Sequence, residues 1–191
     1  MTKIIIIEGQ DNTGKDTLIR GLESLENTTT KQYHFTSPEK YLPDVEDKKV
    51  AQYTQFSDIF KNVREDVKSK QYDLIILNRS HIGEWVYGPI YRGTNSEWIF
   101  DEFEIEYEDI IRQSTLFLLL APPELSINYD DGLSHSTKVT DKKREQRLFI
   151  EAFSKSSIKN KMIVGVHKQG TSEFRDKKDI LKDVTNFINY E

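Results

Sequence analysis

Apolar side chains along this chain fall into two rhythms. Ile4–Ile7, Leu74–Leu77, Thr115–Ala121 and Met162–Val166 are short, nearly unbroken runs, which predict strands buried on both faces, as parallel strands usually are. Pro122 and Pro123 end the third of these runs because proline cannot continue a ladder. Tyr33–Thr36 is a weaker strand signal stopped by Pro38. Between the runs the spacing changes to three and four. Leu18, Leu22 and Leu25 predict a first helix, and Tyr53, Phe56, Phe60, Val63 and Val67 a long second one. Phe103, Tyr107, Ile110 and Ile111 predict another, and Leu148, Phe149, Ala152 and Phe153 one more. Ile180, Leu181, Val184, Phe187 and Ile188 give a last core-facing stripe.

Strands alternating with helices imply an α/β fold: a parallel sheet of about five strands, helices on both faces, and ligands held outside the carboxyl ends of the strands. No repeat or linker divides the chain, so residues 1–191 read as a single domain, a size that buries one substantial core.

Composition narrows the function classes. With 27 Lys and Arg against 32 Asp and Glu, the formal charge is -5, which gives no general attraction to a nucleic-acid backbone. The chain has no Cys, which excludes disulfides, thiolate metal sites and a cysteine nucleophile. No apolar run is long enough for a signal peptide or a membrane span, so a soluble, cytoplasmic protein is expected. His34, His81, His135 and His167 show no metal-ligand spacing, and no Ser/His/Asp arrangement stands out.

The chemistry concentrates after the first strand. Gly9, Gly14 and Lys15 have the spacing G-x-x-x-x-G-K between a strand and a helix. Such a loop folds its N–H groups into an anion nest, the helix adds the positive end of its dipole, and Lys15 neutralises the outer phosphates. Gly9, Asn12, Thr13, Gly14, Lys15, Asp16 and Thr17 are therefore the candidates for the phosphates of ATP. Where Ser or Thr would offer a hydroxyl to Mg2+, this chain has Asp16 followed by Thr17. The neighbouring strand, which would supply an acid, ends in Asn78. Asp16 either restores the missing carboxylate, making Asp16 and Thr17 the metal candidates, or simply caps the helix.

Asn160-Lys161 continues without the acid that guanine-reading loops carry, and Asn78-Arg79 replaces the acid pair of ATP-driven motors. Arg79, at the carboxyl end of a strand beside the cradle, suits a second phosphate gripped bidentately, or else a surface salt bridge.

Glu8-Gly9-Gln10-Asp11-Asn12-Thr13-Gly14-Lys15 has the form E-G-x-D-x-x-G-K, the first of three separated segments that resemble the thymidylate kinases among the P-loop nucleoside monophosphate kinases. Asn78-Arg79-Ser80, followed by Gly83, Val86, Tyr87 and Gly88, is similar in spacing to D-R-Y-x-x-S-x-x-A-Y-Q-G. Leu118–Leu125 looks like the strand that ends before P-P-E-L. The resemblance implies a P-loop kinase fold using ATP and Mg2+, often a homodimer. It gives Asp11 the acceptor sugar's 3'-hydroxyl, Arg79 the acceptor phosphate and Tyr87 the sugar pocket.

The chain departs from the family where its base-reading Gln falls on Gly88 and where Asn78 replaces its Asp. Phe60 and Arg64 match its aromatic and Arg four residues apart, though closer to Asn78 than the family spacing. Tyr53 and Phe56 compete for base stacking, and core packing competes at all of these positions. Asn12 stands where some members carry a catalytic Arg, whereas others bring basic residues from a lid. Here a lid is expected around 130–147, opening at Asp130-Asp131-Gly132-Leu133-Ser134 and followed by Lys138, Lys142, Lys143, Arg144 and Arg147. Arg144 and Lys138 are its leading catalytic candidates, against a plain solvated helix face. Arg92 is a further anion candidate; Glu84 either orients Arg79 or begins a solvated helix.

The expectation is a kinase moving the γ-phosphoryl of ATP to a deoxynucleoside monophosphate, dTMP or a related pyrimidine. Its catalytic set is Lys15, Arg79, Asp11, Arg144 and Lys138, and its acceptor set Asp11, Phe60, Arg64, Arg79, Tyr87 and Arg92. Small nucleotides are the expected partners, with no membrane and no general nucleic-acid binding. A deoxynucleoside kinase, with Glu8 or Asp11 as base, and a noncatalytic nucleotide sensor are the alternatives.

Overall fold

A computed structural model describes residues 2–37, 42, 44–130, 132, 134–171 and 173–189. Asp131 and Leu133 of the expected lid, and Pro38, lie outside the described residues. The elements run β1 (Lys3–Gly9), α1 (Lys15–Glu23), β2 (Thr30–His34), α2 (Val45–Ser69), β3 (Leu74–Asn78) and α3 (His81–Tyr87). Two π-helical turns follow, Gly88–Arg92 and Ile99–Phe103, then α4 (Glu104–Glu106), α5 (Glu108–Ile111) and β4 (Ser114–Leu120). The chain closes with α6 (Pro123–Asn128), α7 (Val139–Lys155), β5 (Asn160–Gly165) and α8 (Lys177–Asn189).

The five strands form one parallel sheet in the order β2-β3-β1-β4-β5. Side-chain alternation along each strand divides the core in two. Ile4, Ile6, Ile75, Leu77 and Leu116 face Phe56, Phe60 and Val63 of α2, Ile82 of α3 and Ala152 of α7. Ile5, Ile7, Ile76, Phe117, Leu119 and Val164 face Leu18, Ile19 and Leu22 of α1 and Val184 of α8. Both faces are covered, which is why β1, β3 and β4 need continuous apolar runs.

From β1 the chain passes to the edge strand β2 and returns to β3, which lies between them, then crosses to β4 and β5 on the other side. The carboxyl ends of β1, β3 and β4 therefore flank the point where the winding reverses, where open α/β sheets leave a crevice. A buried polar joint pins one wall of it. His81 Nε2 and Glu104 Oε1 lie 3.0 Å apart, and Glu104 also accepts from Ser156 Oγ and Ser157 N at 2.6 and 2.7 Å. The start of α3 is thereby tied to the turn before β5.

Two elements differ from the sequence reading. β2 spans Thr30–His34 rather than Tyr33–Thr36, because an edge strand with one half-exposed side needs no apolar run. The single helix expected through Phe103–Ile111 is a π-turn and two short helices. Its apolar residues still reach the core, since Phe103, Tyr107, Ile110 and Ile111 are all buried.

Candidate functional site

The loop after β1 folds as its glycines dictate. Gly9 sits at φ +144°, and a Cβ there would meet the Leu119 carbonyl oxygen at 2.5 Å. Gly14, at φ 85°, is the residue before α1, and Asn12 also adopts a left-handed φ, 61°. Thr13 Oγ1 donates to the Gln10 carbonyl at 2.9 Å and fixes the turn. Lys15 is buried, its Nζ donating to the carbonyls of Gly9 and Gln10 at 2.9 and 2.5 Å. Burial, and then the nearby Arg79 guanidinium, push the Lys15 ammonium down to about 7.

Residues 11–17 of this loop line a cavity of about 610 Å³. Val166, Phe174 and Ile180 add an apolar wall, and Arg175 and Lys177 also line the cavity. Tyr129 joins that wall, its ring 5.0 Å from that of Phe174. Such a cavity combines an anion nest with apolar and cationic lining, a composition suited to a nucleotide. Sequence reasoning missed Phe174, Arg175 and Lys177, the first two in an irregular stretch before α8 and the third at its first residue.

Beside the nest, Asn78 at the end of β3 donates from Nδ2 to Asp16 Oδ1 at 3.0 Å. Asp16 and Thr17 are exposed on the first turn of α1 and line the same cavity. One carboxylate, one hydroxyl and the phosphate oxygens of a bound nucleotide are a donor set that suits Mg2+, which keeps several waters.

Arg79 follows β3 at φ 66°, an uncommon backbone state for a side-chain-bearing residue, held by its N–H donating to the Ile7 carbonyl at 3.0 Å. The guanidinium pairs with the Asp11 carboxylate and lies 5.3 Å over the Tyr87 ring. Burial works against its charge, but Tyr87 and the carboxylates of Asp11 and Glu8 more than offset this and raise its pKa. For Asp11, burial is likewise outweighed, and Arg79, Lys15 and Lys142 hold its carboxyl low.

A second cavity, of about 570 Å³, opens on the other side of this pair. Asp11 and Arg79 line both cavities. Tyr87 and Arg92 line the second, with Arg92 paired to buried Glu84, whose Oε1 accepts from Thr94 Oγ1 at 3.1 Å. Glu84 thus orients Arg92, not Arg79. Burial raises the Glu84 pKa despite that partner. His135 also lines this cavity, stacked on Tyr91 with ring centroids 4.9 Å apart.

The remaining sequence candidates fall elsewhere. Phe60 is fully buried and packs on Phe103 and Tyr107 at 5.0 and 5.4 Å, while Arg64 makes two hydrogen bonds to Asp109, at 2.7 and 2.6 Å. Neither lines either cavity, because the phase of α2 turns them toward the core and toward α5. Phe56, one turn earlier, does line the second cavity. Tyr53 packs against Trp98 and bonds Glu106.

Lys138 and Arg144 are exposed, at and beyond the start of α7, and line neither cavity. The basic residue that α7 brings inward is Lys142, 1% exposed, which also lines neither cavity and reaches the site only through Asp11. Its Nζ stands 3.3 Å from Glu145 Oε2 and 3.8 Å from Asp11 Oδ2. Gln10 Nε2 donates to the Lys142 carbonyl at 2.6 Å and Tyr91 donates to Glu145 Oε1, so loop and helix share one buried network. Helical phase carried the signal: Lys142, Glu145, Phe149 and Ala152 are spaced three, four and three, in register with the buried stripe. Asn12 supplies no charge but clamps the loop before α7, donating to Asp130 Oδ1 and Ser134 Oγ at 3.1 and 3.0 Å.

By sequence, no family model and no curated protein matches this chain. By structure it is similar to the YorR protein of Bacillus subtilis, solved in complex with phosphorylated GDP. The TM-score is 0.67 at 15% identity, over 98% of this chain and 96% of that one. It is also similar to thymidylate kinase from Candida albicans, with TM-score 0.66 at 14% identity over 99% and 92% of the two chains. The fold is that of a thymidylate kinase-like P-loop kinase.

Proposed function

We propose that the protein is a Mg2+-dependent kinase that transfers the γ-phosphoryl of ATP to a deoxynucleoside monophosphate. The observation that carries this reading is the pair Asp11 and Arg79, shared by the two cavities. A donor in the first and an acceptor in the second would meet at the Arg79 guanidinium, the arginine that lines both. Charge and positioning then suffice, because a phosphate oxygen is already an anionic nucleophile.

In this reading the loop N–H groups and Lys15 hold the donor phosphates, and Arg79 aligns the acceptor phosphate in line with them. Asp11 orients Arg79 and, as the resemblance implies, meets the sugar hydroxyl. Tyr87 closes the sugar pocket and Arg92 adds a second cation to it. Lys142 brings positive charge next to Asp11. Asp16 and Thr17 would hold Mg2+, which would supply positive charge to offset that of the transferring phosphates.

Glu8 supports a second reading, a nucleoside kinase, which needs a carboxylate base. Its Oε2 has no partner among the described residues, and burial raises its pKa despite Arg79. Glu8 lines neither cavity, however, and its Oε1 is taken by Ser80 Oγ and the Gly83 N–H, both at 3.0 Å. Asp11 does reach the cavity, but its low pKa makes it a poor base.

The test is a panel of nucleosides and their monophosphates incubated with ATP and Mg2+ and read for new phosphorylated product. Diphosphates are expected from monophosphates. Arg79→Ala should lower kcat/KM for the acceptor by about 10²- to 10³-fold with little change in the KM for ATP. Product from nucleosides alone would favour the second reading. ATP binding with no turnover of either class would favour a nucleotide sensor.

A further inference from the structure

The second cavity carries a polar group that neither the phosphate grip nor the loop uses. Gln52, on α2, is 3% exposed and lines the cavity beside Phe35 and Phe56, whose ring centroids are 5.2 Å apart. Its Nε2 donates to Gln55 Oε1 at 3.3 Å, and Gln55 Nε2 donates in turn to Thr36 Oγ1 at 2.8 Å. Gln52 Oε1, sealed from solvent, has no partner among the described residues. An amide oxygen kept from water and left unmatched is destabilising, so a bound group that brings it a hydrogen is favoured.

The cavity lining is divided in kind. Arg79, Asp11 and Arg92 supply charge, while Phe35 and Phe56 supply aromatic surface, and Gln52 belongs with the aromatic pair. Aromatic walls accept the face of any base, so discrimination has to come from hydrogen bonds in the plane of the ring. Gly88 offers no side chain for this purpose.

We propose that Gln52 is the residue that reads the acceptor's base, its Oε1 accepting the ring imide N–H of thymine, uracil or guanine. This assignment rests on the monophosphate-kinase reading above and narrows its substrate. Cytosine and adenine present a ring-nitrogen lone pair at the matching position, which would face the lone pairs of Oε1 and be rejected. The relay through Gln55 and Thr36 orients the amide with its oxygen left to the ligand.

The experiment is steady-state kinetics at saturating ATP and Mg2+ with dTMP, dUMP, dGMP, dCMP and dAMP, and with N3-methyl-dTMP and N1-methyl-dGMP, whose imide hydrogen is replaced. The native protein should prefer an imide base and use its N-methyl analogue at least about 10-fold less well by kcat/KM. Gln52→Met, close in size and apolar, should raise the KM of the preferred monophosphate about 10-fold or more and bring the parent-to-methyl ratio to within about 2-fold. The melting temperature should not fall and the KM for ATP should be unchanged, whereas a structural role would lower the first. Equal use of parent and methylated acceptor by the native protein would overturn the assignment alone. So would a preference for dCMP or dAMP, or an equal loss on both acceptors in Gln52→Met. No turnover of any monophosphate would overturn the kinase reading, and this assignment with it.

Discussion

Asn78 Nδ2 donates to Asp16 Oδ1 at 3.0 Å, so the pair beside the phosphate nest contains a single carboxylate, carried by the helix and not by the strand. The strand's amide orients that carboxylate without adding charge. If this is the metal's protein ligand, moving the carboxylate from the helix to the strand should conserve the site while either single change upsets it.

Asp16→Ser leaves no carboxylate and should raise the Mg2+ concentration for half-maximal activity about 10-fold or more. Asn78→Asp sets two carboxylates about 3 Å apart, which cannot both stay ionised without a cation. That variant should melt lower in a chelator and recover on adding Mg2+. The double exchange, Asp16→Ser with Asn78→Asp, should return both quantities toward the native values. Binding of Mn2+ with nucleotide, followed by electron paramagnetic resonance, gives a readout independent of turnover. A native Mg2+ requirement in Asp16→Ser would leave Asp16 as a helix cap only.

The Lys142–Glu145 pair separates the basic residues of α7 by burial. Lys142→Met strands Glu145 in the interior, and breaking one side of a buried pair costs about 3–5 kcal/mol. Changing both, as Lys142→Met with Glu145→Gln, should recover most of that stability in denaturant melts. It should not recover activity, because the cation beside Asp11 is still missing. Arg144→Ala and Lys138→Ala, both on the surface, should stay within about 0.5 kcal/mol of native stability. Native activity in the stability-recovered double variant would remove Lys142 from the reaction and return attention to Arg144 and Lys138.

Lys15 predicts a proton taken up on binding. Its folded pKa is lowered to about 7 from 10.5, so between those values the unfolded chain holds more protons than the folded one. Stability without nucleotide should therefore rise with pH across this window. Phosphates in the nest favour the charged ammonium and draw a proton back. Calorimetry of ATP binding at pH 8, in two buffers of different ionisation enthalpy, should show net uptake of a fraction of a proton. Lys15→Met should abolish that uptake along with most of the affinity. Equal heats in the two buffers would mean that Lys15 is already charged before the nucleotide arrives.

The sequence made the sheet legible because Ile4–Ile7, Leu74–Leu77 and Thr115–Ala121 are buried on both faces, a demand that leaves no freedom in residue type. The places of Lys15 and Arg79 beside the cavities were legible for a related reason, since glycines in the loop and a cation at a strand end have few other uses at that spacing, while that of Asp11 came with the resemblance. Phe60 and Arg64 were misplaced because α2 is apolar on a broad face, and period alone does not tell which of its aromatics meets a cavity. Gln52 and Lys142 were hidden by their polarity. A polar residue on a buried stripe looks like a solvated one until tertiary contacts close over it.

Gly88 and Gly93 bracket the Arg92 turn and should fail in different ways when changed to alanine. Gly88 has an ordinary helical φ of −55°, so its constraint is space. A Cβ there would lie 2.5 Å from Thr94 Oγ1 and 2.6 Å from both Glu84 Oε1 and Ser96 Oγ, all on buried residues. Gly88→Ala should cost about 1–3 kcal/mol by overpacking and, by displacing Glu84, loosen Arg92. Gly93, at φ 70°, has nothing within 4 Å of the added carbon, so only backbone strain of about 1 kcal/mol is expected from Gly93→Ala. Melting and acceptor kinetics distinguish the two: Gly88→Ala should raise the acceptor KM about 10-fold and leave the ATP KM alone, whereas Gly93→Ala should move neither. An unchanged acceptor KM in a folded Gly88→Ala protein would mean that the Glu84–Arg92 pair braces the turn and does not touch the acceptor.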